Sequence, residues 1–235
     1  MANNHKVKNM DRNEMFELCR RKFSSSPSYL SFQENSQRAG QVLGLIANNK
    51  NILGVEELDL VRMFFLSAVS FANKPDVIGE IVSNNSDYSI YKALKQSLEA
   101  GDMAILSRSL TSVSDKSAFA VFAFLYPNEY SLQPASVIGL ARLIFQDVKD
   151  YSGAFNVEFE SLQQKIIAEM SLTNQLFCQH FQEYGFESPL EFSVIIGILY
   201  RNVYHQKLVE KDVVGKDKDQ KFEMRYFSYI KTLLN

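Results

Sequence analysis

The sequence predicts an all-α fold, and three observations predict it. Apolar residues recur at spacings of three and four through most of the chain, which places them on one face of a helix. No stretch alternates apolar and polar residues as a half-buried strand would. Ala118-Phe119-Ala120-Val121-Phe122-Ala123-Phe124-Leu125-Tyr126 is apolar on every side of a helix, so other helices must cover it all round. Pro127-Asn128 ends that segment, and Pro134 opens a second apolar run to Phe145 with proline in its first turn. The expected architecture is a compact multi-helix domain around this buried central helix pair, with helices added at its C-terminal end.

Taken in order, residues 1–12 read as a flexible N-terminal arm. A first helix is expected from Asn13, with Asn13 as N-cap and Phe16, Cys19 and Phe23 as its apolar stripe. Arg20, Arg21 and Lys22 then fall at the helix C-terminus, where cations favour the dipole. Ser24-Ser25-Ser26-Pro27-Ser28 breaks it. Tyr29–Phe32 leads into an expected loop, Gln33-Glu34-Asn35-Ser36, and a helix follows through Val42, Leu45 and Ile46. A buried helix is expected over Val61–Phe71 and a short one after the break at Asn73–Asp76. Another starts with Asp87 as cap and carries Ile90, Tyr91, Leu94 and Leu98. Gly101 turns the chain, and Ser114-Asp115 precedes the central pair. Beyond it, separate helices are expected over Phe159–Met170 and Leu172–Tyr184, with Gly185 as a C-cap. Pro189–Glu210 reads as a helix, Lys211–Lys221 as an exposed charged linker, and Phe222–Leu234 as a terminal helix. The expected division is therefore 1–12, a domain over 13–185, and a helical extension over 186–235 packed on it.

Composition narrows the function classes. A formal net charge of −2 lacks the basic footprint of a nucleic-acid binder. No run reaches the roughly 18 apolar residues of a transmembrane helix. The polar start Met1–Asn9 lacks the apolar core of a signal peptide, and Ala2 stands where myristoylation needs glycine. Two cysteines, Cys19 and Cys178, cannot build a disulfide framework, which favours reduced thiols and a cytoplasmic setting.

Chemistry-bearing motifs are bland. The sequence has no phosphate-binding glycine loop, nucleophile elbow, HExxH, EF-hand loop or CxxC pair. His5, His180 and His205 are far apart, and Cys178 and His180, two residues apart, fall on different sides of a helix. Neither a metal site nor a Cys–His nucleophile is expected, nor any cofactor. Glu56, Glu57 and Asp59 could serve as paired carboxylates, but acidic residues at a helix start more commonly face solvent.

Three landmarks, in order, resemble a diverged RhoGAP domain, the helical module that activates Rho-type GTPases. Leu30-Ser31-Phe32-Gln33-Glu34-Asn35-Ser36 resembles the loop G-[IL]-[FY]-R-x-S-G that carries the family's arginine finger. Leu60–Ile78, with its break at Asn73-Lys74-Pro75-Asp76-Val77-Ile78, resembles the L-L-K-x-F-L-R-x-L-P-x-P-L helix. Gly139-Leu140-Ala141-Arg142-Leu143-Ile144-Phe145 resembles the N-L-A-x-[VL]-F stretch. The landmarks span about residues 13–185.

The positions that matter for catalysis depart from the family. Gln33 stands at the finger arginine, Leu66 and Ser70 at the lysine and arginine of the second motif, and Gly139 at the asparagine of the third. A finger arginine acts through its charge and contributes about 10³- to 10⁵-fold, which neutral Gln33 cannot supply. The resemblance thus implies a non-enzymatic interaction module binding a small GTPase or another signalling protein. Its contact face would comprise Phe32, Gln33, Glu34, Asn35 and Arg38, with no catalytic residue. Two alternatives stay open. One is an active GTPase-activating protein with Arg38 as a displaced finger. The other is an effector or adaptor of unrelated helical fold, working in a host cytosol if it is secreted.

Overall fold

The computed structural model describes residues 12–48, 53–132 and 162–208. Among the described residues the chain is all-α, with nine helices and no strand. The helices are α1 (Arg12–Phe23), α2 (Pro27–Ala47), α3 (Val55–Ser70), α4 (Pro75–Asn84), α5 (Asp87–Ala100), α6 (Ala104–Ser109), α7 (Asp115–Leu125), α8 (Leu162–His180) and α9 (Pro189–Leu208). None is long and apolar enough to cross a membrane.

Packing gathers the chain into two compact units, one spanning Leu30–Pro134 and the other joining residues 1–29 to residues 135–235. Among the described residues the second unit holds 12–29 and 162–208. Of the expected elements, the 1–12 arm (save Arg12), the Pro134–Phe145 partner of the central pair, the 211–221 linker and the terminal helix lie outside the described residues.

In the middle unit, α3 packs against α4, α5 and α7, and the short α6 joins α5 and α7. Phe64, Phe65, Val61, Ala68 and Val69 form the buried stripe of α3. The all-round apolar segment becomes α7, whose residues from Ala118 to Leu125 are buried apart from a half-buried Phe119. Phe124 meets Phe32 of α2 at 6.1 Å and Phe71 at 5.2 Å between ring centroids. Two asparagine amides tie this unit's connections. Asn73 Nδ2 donates to the carbonyl of Val69 (2.7 Å) and to Ser117 Oγ (3.0 Å), fixing the end of α3 to the start of α7. Asn85 donates to the carbonyls of Ile81 and Thr111 and accepts from the Thr111 amide, each at 2.9 Å.

Local chemistry sets the helix ends. Ser86 and Ser114 accept from the amides of Ser89 and Ser117, at 3.2 and 3.3 Å, as N-caps of α5 and α7. Ser86, not Asp87, therefore caps α5; Asp87 sits one residue inside, and its carboxylate meets Arg62 Nε of α3 at 3.4 Å. Gly101 closes α5 at φ +62°, where a side chain is disfavoured, and Asp102 N donates back to Ser97 O at 3.0 Å.

Further sequence expectations are corrected. The loop expected at Gln33–Ser36 is helical: α2 runs unbroken from Pro27 to Ala47. Proline opens its first turn, and the polar residues that suggested a loop are mostly its solvent-facing stripe. The two helices expected over 159–170 and 172–184 are likewise one, α8, as far as His180. Gly185 does not cap α8 directly; it lies at φ +77° in the turn that follows.

In the unit built from both chain ends, α9 packs against α1 and α8. Its hub is Phe192, fully buried, with Phe16 of α1 at 5.4 Å, Phe177 of α8 at 4.8 Å, Tyr184 at 5.3 Å and Phe186 stacked at 4.5 Å. Phe16 and Phe177 meet it edge to face, and such aromatic pairs contribute about 0.5–1.5 kcal/mol each beyond their buried area.

Candidate functional site: the solvent-facing stripe of helix α2

The five residues named from the sequence share helix α2, and the helix sorts them. Leu30, Gln33, Glu34, Gln37 and Gln41 are exposed and recur at three- and four-residue spacing, so they form one stripe. Asn35, Ala39, Val42 and Ile46 form the opposite, buried stripe. Phe32 lies between the two, half-buried, with its ring against Phe124. Arg38 sits one turn after Glu34, and its guanidinium reaches that carboxylate at 3.4 Å. Such a surface i,i+4 pair contributes only about 0.3–0.5 kcal/mol, so it orients Arg38 weakly.

Gln33 and Glu34 are thus brought to the exposed face, with half-buried Phe32 and Arg38 at its margins and Asn35 behind it. This separates Asn35 from the contact set: its side chain is fully buried, and among the described residues neither Oδ1 nor Nδ2 has a hydrogen-bond partner. An unsatisfied buried amide costs about 1–3 kcal/mol. The resemblance places Asn35 in the contact loop, but in a helix position 35 falls in register with Ala39 and Val42.

A second constellation went unnoticed in the sequence. Glu191, in the first turn of α9, is buried, and Arg20 of α1 meets its Oε1 through Nε at 3.1 Å. Tyr29 donates its hydroxyl to the same oxygen at 2.9 Å, and the Glu187 amide donates to Oε2 at 3.0 Å. Arg20 also donates to Glu187 Oε1 at 2.9 Å and to the Gly185 carbonyl at 3.1 Å. Burial tends to lower the Arg20 pKa, but the opposing carboxylates of Glu191 and Glu187 outweigh it and raise the pKa. Burial first, then the hydrogen bond to Glu191, pushes the Tyr29 hydroxyl up to about 12. One local signal was present: Ser188-Pro189-Leu190-Glu191 has the S-x-x-E form of a capping box, and Ser188 Oγ accepts from the Glu191 amide at 3.1 Å. Arg20 and Tyr29 carry no local signal, because their partner lies at the far end of the chain.

The remaining candidates keep structural partners. Glu57 accepts from the Gly54 amide at 2.9 Å at the start of α3, and Asp59 lies 3.9 Å from Arg62. His180 Nδ1 lies 3.0 Å from Glu183 Oε2 on the surface. Cys19 is fully buried, which pushes its thiol up to about 12 and keeps it unreactive. Among the described residues, no three His, Cys, Asp or Glu side chains come together as metal ligands.

No family model, curated protein or solved structure matches the chain.

Proposed function

We propose that the protein is a non-enzymatic protein–protein interaction module whose contact face is the exposed stripe of α2 around Gln33, Glu34 and Arg38. One observation carries this reading: Gln33 and Glu34 stand on the exposed stripe of the helix, with half-buried Arg38 at its margin paired to Glu34 and Leu30 48% exposed at its start. A stripe of side-chain amides and one weak ion pair offers donors and acceptors with little internal competition. The partner class proposed is a small GTPase or another signalling protein, on the strength of the residue order that resembles a RhoGAP domain. That resemblance implied a loop at Phe32–Arg38, and the segment is helical, so recognition here uses a helix face.

The test is capture from lysate with the whole chain as bait, in GDP-loaded and GTP-analogue-loaded extracts. Recovery of a small GTPase in one nucleotide state supports the reading. Gln33→Ala and Arg38→Ala should then each weaken binding; unchanged affinity in both removes this face from consideration. Single-turnover GTP hydrolysis by the captured GTPase should not accelerate, since Gln33 carries no charge to place on the transition state.

A further inference from the structure

We infer that the exposed face of α2 docks a second copy of this chain, with the two helices antiparallel about a two-fold axis beside Gln37. The inference rests on the reading of α2 as a contact face and names one occupant for it. A small GTPase on the same face is a separate claim with its own test.

The centre of this face is uncharged. At the helical repeat, Leu30, Gln33, Gln41 and Gly44 all lie within about 40° of the direction of Gln37, and all five residues are exposed. None of them ionises. The exposed side of α1, by contrast, presents Glu14, Glu17, Arg21 and Lys22. Solvated surfaces carry interspersed charges, whereas the centres of protein interfaces are depleted of them.

The same residues are complementary to themselves. In an antiparallel pair centred on Gln37, a residue before it meets the partner residue equally far after it. Leu30 then faces the partner's Gly44, Gln33 faces the partner's Gln41, and Gln37 faces its own copy. Leu30 is 48% exposed. Among the described residues nothing lies within 4 Å of where a Cβ on Gly44 would sit, so a leucine from outside has a seat there. Glycine inside a helix weakens it relative to alanine, and close approach of that leucine gives the position a use. Glutamine amides both donate and accept, so facing pairs satisfy each other. At one rim, Arg38 reaches its own Glu34 at 3.4 Å. The two-fold axis brings the partner's Glu34 beside the same guanidinium, so acid meets base in both directions. A single helix pair buries less than the roughly 1,200–2,000 Å² of a lasting interface. The dimer is therefore reversible and forms at high protein concentration, which leaves the face open to another partner.

The test is sedimentation equilibrium of the full-length chain, from dilute solution to its solubility limit.

The unaltered chain should show a monomer–dimer equilibrium. Gln37→Lys and Gln37→Glu should each weaken it by about tenfold or more, because two like charges then meet at the axis. An equimolar mixture of those two variants should associate at least as tightly as the unaltered chain, since Gln37 meets its own copy. Gly44→Leu should also abolish association, by filling the seat of the partner's Leu30. In dilute, monomeric solution it should raise the melting temperature, because leucine is the better helix former. Loss of association in a more stable chain separates a blocked interface from a damaged fold. A chain that stays monomeric to its solubility limit, a dimer unchanged by Gln37→Lys or Gly44→Leu, or a variant mixture that does not reassociate overturns the inference. Failure to capture a small GTPase would overturn that partner and leave the dimer standing.

Discussion

Tyr29 donates its hydroxyl to Glu191 Oε1 at 2.9 Å, and the Arg20 guanidinium meets the same oxygen at 3.1 Å. One buried carboxylate thus ties α1 and the first turn of α2 to the first turn of α9. A hydrogen bond to a charged group contributes about 1.5–3 kcal/mol, so Tyr29→Phe should lower stability within that range. Glu191→Ala should cost more, because it strands Arg20, the Tyr29 hydroxyl and the Glu187 amide together. Urea unfolding should show lower midpoints at unchanged slope; equal stability for both variants would mean the carboxylate is solvated instead.

Alkaline stability follows from two groups. Tyr29 rises from its ordinary 10.0 to about 12, and Cys19 from 9.0 to about 12, both chiefly through burial. Each favours the protonated form more in the folded chain than in the unfolded one. Their contribution is complete below pH 9.0, begins to fall as the unfolded groups ionise, and is gone once pH passes about 12. Stability should therefore decline over that window, less steeply in Tyr29→Phe and in Cys19→Ala. In the native chain below pH 9, Cys19 should resist thiol reagents until unfolding exposes it.

The aromatic hub should be the most sensitive core position of its unit. Phe192 touches the rings of Phe16, Phe177, Tyr184 and Phe186, and truncating such a side chain costs about 3–5 kcal/mol. Phe192→Ala should show that loss in thermal or urea unfolding, while truncating exposed Tyr88 should change stability by no more than about 0.5 kcal/mol.

Asn35 should be a position where the natural residue is not the most stable one. Leucine has the same branched shape without the unpartnered amide, so Asn35→Leu should raise stability by about 1 kcal/mol or more. A lower melting temperature would indicate that Asn35 has a polar partner in solution.

Much of the fold was legible because its signals are local. Ser114 starts α7, Gly101 ends α5, and the all-round apolar run from Ala118 was bound to be buried, whereas α4 begins at Pro75, inside the segment that reads as a break. The α2 helix was misread because Gln33, Glu34 and Ser36 carry loop-like side chains. Their meaning comes from the helical register set by Ala39, Val42 and Ile46. In that register Gln33 and Glu34 are exposed, Arg38 is half-buried at the edge of their stripe, and Asn35 is buried on the opposite face. The Arg20–Tyr29–Glu191 cluster could not be read, because spacing along the chain says nothing about which distant carboxylate an arginine meets.

The most direct test of the account is native-state amide hydrogen exchange at residues 33–38, because the proposed face exists only if α2 is continuous there. The helix predicts slow exchange across this segment, comparable with Ala39–Ile46 and well slower than the Ser24–Ser26 turn. Rapid exchange at 33–38 with protection resuming beyond Ala39 would restore a loop, and it would contradict both the helix and the interaction face built on it.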